Sequence, residues 1–219
     1  EDLDFAGPRF GFRHVPDQYS LNYTFTRYLS QLRRPVFLFF ITLSSHAPWN
    51  SVPPLETDWH RLSPEYGGVS ADDNLSAELH DTYRQRFGQP EGSGLTIQDY
   101  FTHIEYEIRV IRRYIKDHGR SNSVFILVGD HQPPFFNEAK DVFYTPIHII
   151  SDNPEFLNPL LSRGFQKGMY PSQHQKNYMN HEGIYSLLVV ALKNTYGKQV
   201  PVANVQYRPR GVPLSIITK

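Results

Sequence analysis

The predicted fold rests on the segment Ser123-Val124-Phe125-Ile126-Leu127-Val128-Gly129-Asp130-His131-Gln132-Pro133-Pro134. Its apolar run, 124–128, has the length and composition of a strand that is buried on both faces, as in parallel sheets. Gly129, Asp130 and His131 follow the run, and the two prolines after them end regular structure. The segment therefore predicts a central strand with an ionisable pair at its carboxyl end.

The pair Asp130 and His131 has the donor atoms of a metal site. Ligands of open α/β sheets bind beyond the carboxyl ends of the strands. The carboxylate supplies oxygen and the imidazole nitrogen, a mixed set that suits Zn, Mn or Mg. Gly129 allows the backbone to pass close to a bound ion. We therefore expect both side chains to bind a divalent metal; the alternative is a capped turn at Asp130 beside a solvated His131.

Two further apolar runs predict the rest of the sheet. Val36 to Leu43 is apolar except for one threonine and leads to His46, and a third run covers 146–150. The clearest helical pattern, 96–116, lies between the first run and the 124–128 strand and begins with a capping-box sequence. A strand, a helix and a strand in this order favour parallel neighbours. The predicted fold is α/β, with a mostly parallel sheet flanked by helices.

The remaining elements follow from helical spacing and turn residues. A helix is expected to begin at Asp17 and to end at the Arg33-Arg34-Pro35 segment, and another covers 181–192 and ends at Gly197. The weaker predictions are a helical turn at 157–161, a helix at 75–87, an edge strand at 214–217, and a long loop at 50–94 that forms a lid.

Composition excludes several classes of function. The 22 basic and 22 acidic side chains give a formal net charge of +0, so nothing predicts a nucleic-acid partner or an anionic membrane surface. The absence of cysteine excludes disulfides and thiol catalysis. No apolar run is long enough to span a bilayer, and no signal peptide is recognisable. The chain begins with Glu1 rather than Met, so we expect a single domain, 1–219, from a longer protein.

Among the ten histidines, the positions of four are informative. His46 and His131 both follow apolar runs, which places them where such folds bind ligands. His148 lies within an apolar run, where a hydrogen-bonded core histidine is the favoured interpretation. His181 begins a helix beside Glu182, and is interpreted either as a helix cap or as a residue that points at the site.

The order of these motifs resembles the sulfatase-like branch of the alkaline phosphatase superfamily. Leu-Ser-Ser-His46-Ala-Pro-Trp after one apolar run, and Val-Gly-Asp130-His131 after a later one, are similar to segments in the catalytic domains of lipoteichoic-acid synthases and phosphoethanolamine transferases. Val15 to Tyr19 resembles the helix start before the first of these segments. The chain departs from the pattern at Gln132, where Gly is usual, and at Gly183, where Asp is common.

The resemblance implies a fold, a cofactor and a set of site residues. It implies that 1–219 is the C-terminal part of an alkaline-phosphatase-like domain whose N-terminal half carries the nucleophile. It implies that Asp130 and His131 bind a divalent metal ion, which is Mn, Mg, Zn or Ca. It also implies that His46 is the catalytic histidine and contacts the substrate, and that His181 is a further substrate-binding residue.

The resemblance also implies a function. The expected activity is that of a metal-dependent hydrolase or phospho-group transferase that acts on a phosphate or sulfate ester of an envelope lipid or glycan, lipid-linked substrates included. Such transfer requires an activated nucleophile, which the chain lacks, so the chain alone is expected to be inactive. The implied location is extracytoplasmic, with membrane attachment only through a segment absent from this chain and with no nucleic-acid partner.

One alternative of a different class stays open. A non-catalytic binding module would keep the fold without the nucleophile. The sequence upstream of Glu1 would distinguish this module from the enzyme. A metal-independent serine hydrolase is disfavoured because the sequence has no Gly-x-Ser-x-Gly motif.

Overall fold

The computed structural model describes residues 3–11, 14–63, 96–132, 144–170, 178–197 and 205–211. The predicted helix at 75–87, the predicted edge strand at 214–217 and positions 64–94 of the predicted lid lie outside these ranges. The chain forms two compact units, Glu1–Gly119 and Arg120–Lys219. The assignment of 1–219 to one domain stays a prediction.

The first helix of the unit Glu1–Gly119 begins where the sequence predicts. This helix, α1, spans Asp17–Thr24 and continues as a π-helical turn, Phe25–Leu29, so it ends earlier than expected. Tyr19 is fully buried and stacks edge-on against Trp59, which begins a 3₁₀ turn at Trp59–Leu62. These aromatic contacts fix α1 in the apolar part of the unit, because large rings bury much surface at little entropic cost.

The second helix, α2, spans Ile97–His118 and confirms the predicted capping box. Oγ1 of Thr96 accepts a hydrogen bond from the amide of Asp99 at 3.1 Å, and Oδ2 of Asp99 accepts one from the amide of Thr96 at 3.2 Å. The buried face of α2 carries Asp99, His103 and Glu107 besides its aromatic and aliphatic side chains. The apolar face of α2 is partly exposed to solvent, since Ile97 and Phe101 are 44% and 51% exposed.

The prediction that Val36 to Leu43 forms a strand is wrong. The segment belongs to no sheet, and Phe37 and Phe39 are 88% and 74% exposed. A strand requires a neighbour that takes its backbone hydrogen bonds. At the end of this segment the backbone amides bond to a side chain instead of a neighbouring strand. Oδ2 of Asp17 accepts hydrogen bonds from the amides of Leu43 at 2.9 Å and Ser44 at 2.6 Å.

The sheet of the unit Arg120–Lys219 contradicts the predicted fold class. β1, Val124–Val128, and β2, Ile147–Ser151, confirm that both runs form strands. The prediction that 124–128 is buried on both faces is wrong, since β1 is only partly buried and Val128 is 44% exposed. The two strands form a two-stranded antiparallel sheet in which Val124 pairs with Ser151 and Val128 with Ile147. In the described residues there is therefore no mostly parallel, alkaline-phosphatase-like sheet.

Two helices complete this unit. α3 spans Pro154–Leu161 and begins at Asn153, whose side chain accepts from the amide of Glu155 at 2.9 Å. α4 spans His181–Tyr196 and ends at Gly197, as predicted. Both helices contribute to one apolar core, which consists of Phe156, Leu160, Leu187 and Ala191 and is partly covered by Val124 and Ile149 from the strands. No helix in the described residues is long and apolar enough to cross a membrane.

The capping box of α2 provides a test of the fold. We expect Thr96→Ala to lower the free energy of unfolding by about 1 kcal/mol, because the amide of Asp99 loses its side-chain partner and the Asp99 carboxylate loses the hydroxyl that donates to it. Thr96→Ser keeps the hydroxyl and is expected to retain most of that stability. Urea unfolding followed by circular dichroism measures both. An equal loss in the two variants would show that the methyl group, rather than the cap, stabilises this end.

Candidate functional site

The pair Asp130 and His131 lies at the carboxyl end of β1, where it is open to solvent. Their side chains are 85% and 70% exposed. Oδ1 of Asp130 accepts from the amide of His131 at 2.8 Å, while Oδ2 lies 3.6 Å from Nε2 of the imidazole. Metal–oxygen and metal–nitrogen bonds are about 2.0–2.2 Å long, so two ligands of one cation can be separated by this distance. The pair therefore faces one side of the chain, as a shared ion would require.

The bend that brings the two side chains together is held by the residues that lead into β2. The amide of Gly129 donates to the carbonyl of Pro146 at 3.0 Å, and Nε2 of Gln132 donates to the carbonyl of Tyr144 at 2.9 Å. A Cβ atom on Gly129 would lie only 3.0 Å from Cβ of Thr145. Glycine is therefore needed here for close approach of the two chain segments.

His181 belongs to the same end of the sheet. It is the first residue of α4, and its Nε2 lies 3.0 Å from Oγ1 of Thr145. No side-chain hydrogen bond caps α4 at Asn180, and the His181 ring contacts Thr145. Asp130, His131 and His181 are thus placed in one unit, and Thr145 is the residue that connects the loop after β1 with α4.

The number of protein donors at this end is small. Within the described residues, no three His, Cys, Asp or Glu side chains are grouped so that they could hold a metal ion together. Asp130 and His131 supply two donors, and catalytic zinc sites use three. Thr145 was not singled out from the sequence; its only signal is its position before Pro146 at the start of an apolar run.

His46 belongs to the other unit, Glu1–Gly119, and is exposed. Its Nδ1 contacts the carbonyl of Ala47, which precedes a cis proline at Pro48. It lies close enough to His14 for the two imidazoles to interact electrostatically. The structure thus associates His46 with a buried polar cluster of its own unit.

This cluster is centred on Ser44, which has no solvent exposure. Its Oγ lies 2.9 Å from Nε2 of His14, and its carbonyl lies 2.6 Å from Nδ1 of His103. Asp17 binds the amide of Ser44, as described above. Sequence reasoning missed the cluster because its members are far apart in the chain and share no motif.

The contact between Ser44 and His14 resembles a nucleophile with its base, but two features make it structural. The hydroxyl is fully buried, so a substrate cannot reach it. In the described part of the chain, Nδ1 of His14 has no hydrogen-bond partner, so the third group that orients the base is missing. The cluster therefore connects distant segments of the unit rather than forming a catalytic triad.

Burial favours the neutral form of three side chains in and beside the cluster, which are Glu107, His103 and His14. Burial, together with the Asp17 carboxylate, raises the pKa of Glu107 well above its usual range. Burial lowers the pKa of His103 and of His14, and for His14 the Asp17 carboxylate opposes this effect. Charged groups are costly to bury, so a protonated carboxyl and neutral imidazoles are the favoured forms.

A shallow depression of about 400 Å³ lies at the opposite end of β1 from Asp130. Its polar groups bond one another: Oδ1 of Asp152 accepts from the amide of Asn122 at 3.1 Å, and Nδ2 of Asn153 donates to Oδ1 of Asn122 at 3.3 Å. These groups are occupied, so the depression is not a candidate site.

Comparisons with known proteins leave the family open. No family model, curated protein or solved structure matches the chain.

Glu107 provides a test of the buried cluster through pH. Because its pKa is higher in the folded state than the unfolded value of about 4.3, its contribution to stability is complete below that value and is lost as pH rises towards the folded pKa. Glu107→Gln resembles the protonated form. We expect it to match the wild type near pH 4 and to be more stable at pH 8 by about 1 kcal/mol or more.

Urea unfolding at pH 4, 6 and 8 measures this difference. Glu105→Gln is the matched control on α2, since Glu105 is exposed and pairs with Arg109. The histidine contributions cancel in the comparison because every variant retains them. A stability difference that grows towards acid pH would contradict the proposed protonation of Glu107.

Proposed function

We propose that this chain is part of a metal-dependent hydrolase or phospho-group transferase, and that Asp130 and His131 hold its divalent cation. The substrate is a phosphate or sulfate ester of an envelope lipid or glycan. The observation that carries the proposal is the 3.6 Å separation between Oδ2 of Asp130 and Nε2 of His131 on a bend held by two hydrogen bonds.

The donor set and its exposure support this assignment. Nδ1 of His131 lies 3.0 Å from the carbonyl of Gln132, and a proton on Nδ1 leaves the lone pair of Nε2 for a metal. The exposure of both side chains leaves room for water and ester oxygens around the ion. When bound, the cation would neutralise charge on the ester oxygens. A mixed oxygen and nitrogen set favours Mn or Zn over Mg or Ca.

The other site residues have separate roles in the proposal. His181 contacts the ester. The role of His46 at the leaving group or the substrate stays a prediction from the sequence, because His46 belongs to the unit Glu1–Gly119. In this proposal the nucleophile and the remaining metal ligands come from a part of the protein outside this chain, because a two-donor set is too small for tight binding.

A non-catalytic binding module is the second candidate. It is favoured by one observation, which is that the described residues contain no group of three metal-ligating side chains. A module of this kind would bind a phosphate or sulfate group without turnover, and metal affinity at Asp130 separates the two.

Titration with metal tests the proposal. We expect the wild-type chain to bind Mn²⁺ and Zn²⁺ weakly, and Asp130→Asn and His131→Gln each to lose about tenfold or more in affinity, since each removes one ligand. Binding to the wild type should be weaker at acid pH, because protons compete with the metal ion for its ligands. Isothermal titration calorimetry at pH 5.5 and 7.5 measures both effects.

A second Asp–His pair provides the matched control. Nδ1 of His60 lies 2.6 Å from Oδ1 of Asp58, so these two groups bond each other directly. Asp58→Asn is expected to leave the titration unchanged. Equal affinity in the wild type and the two site variants would show that the pair at the end of β1 is structural.

A further inference from the structure

We infer that Thr145 is the positioning residue of this site. Its hydroxyl is hydrogen-bonded to Nε2 of His181, which leaves Nδ1 of that ring to contact a phosphate or sulfate oxygen. The inference rests on the proposed function and adds a residue that the sequence did not indicate. It is carried by three observations on Thr145.

The first observation is the register of the sheet. Val128 pairs with Ile147 in the antiparallel ladder, and the amide of Gly129 donates to the carbonyl of Pro146 at 3.0 Å just beyond it. This hydrogen bond keeps the two chain segments together beyond the regular strands. It therefore holds Thr145, the residue before Pro146, beside the segment that leads into Asp130.

The second observation is the packing of the carbon atoms of Thr145. A Cβ atom built on Gly129 would lie 3.0 Å from its Cβ and 3.6 Å from its Cγ2. These carbon atoms therefore lie against Gly129. A β-branched side chain has restricted χ1 rotation, so this packing also fixes the direction of the hydroxyl.

The third observation is where that hydroxyl points. Oγ1 of Thr145 lies 3.0 Å from Nε2 of His181, which begins α4. One side chain thus contacts the loop that carries Asp130 and also holds a histidine from another element. With Nε2 engaged, the ring offers Nδ1 to a ligand, and the first turn of a helix favours an anionic one.

Thr145→Val separates the two contacts, because valine keeps the carbon packing on Gly129 and removes the hydroxyl. Nitrogen NMR of the histidine side chains measures the effect, because the chemical shifts of the two ring nitrogens differ between the tautomers. His181→Gln identifies the His181 signals among those of the ten histidines. We expect Thr145→Val to shift both ring-nitrogen signals of His181, and Thr145→Ser to restore them. The unfolding midpoint of each variant checks the fold.

Inorganic phosphate is the probe for the ligand. In the wild type, phosphate is expected to perturb the Nδ1 signal of His181 more than the Nε2 signal, and in Thr145→Val this selectivity should be lost. Unchanged His181 signals in Thr145→Val, failure of Thr145→Ser to restore them, or no response of wild-type Nδ1 to phosphate would each overturn the inference. The metal titration is a separate test: a wild-type chain that binds no metal would refute the proposed function, whereas the inference is decided by the His181 signals alone.

Discussion

The antiparallel pairing of β1 with β2 is the constraint on which the candidate site depends. The hydrogen-bond register continues past the two strands to Gly129 and Pro146, so the chain on both sides is fixed beyond the regular ladder. If the chain stayed extended after Gly129, Asp130 and His131 would point to opposite faces. The bend that the Pro146 and Tyr144 carbonyls hold instead brings Oδ2 of Asp130 within 3.6 Å of Nε2 of His131. The pairing therefore determines more than the local fold, because it decides that a carboxylate and an imidazole face one side.

A single carboxylate has a comparable role in the other unit. Asp17 lies at the start of α1 and binds the amides of Leu43 and Ser44, which ends the apolar segment before them without a partner strand. Burial raises the pKa of Glu107, and the nearby Asp17 carboxylate adds to this effect. Buried polar groups are tolerated when they are paired or neutral. Asp17 is paired with two backbone amides, and Glu107 beside it is kept in the neutral form.

The contrast between correct and wrong predictions has a physical cause. The capping box at Thr96 and the glycine stop at Gly197 are local signals, and both helix ends lie where they were predicted. An apolar run indicates a strand but does not indicate which strand pairs with it. The prediction of a strand at 124–128 is therefore correct, and the prediction that it belongs to a parallel sheet is wrong. Val36 to Leu43 has an equally good strand pattern, yet its backbone finds no ladder. The α2 stripe has helical spacing, but spacing alone does not say which face is buried.

The same reasoning explains which parts of the site could be found from the sequence. Asp130 and His131 are adjacent, and their position after an apolar run is visible in one segment. Thr145 and His181 are 36 residues apart, and their contact depends on how α4 meets the lead-in to β2. Ser44 and His14 look more like a catalytic pair by distance, but burial excludes substrate. Access to solvent therefore decides between the two sites. Exposed ionisable groups can exchange water for a ligand, whereas the Ser44 hydroxyl is buried and already hydrogen-bonded within the fold.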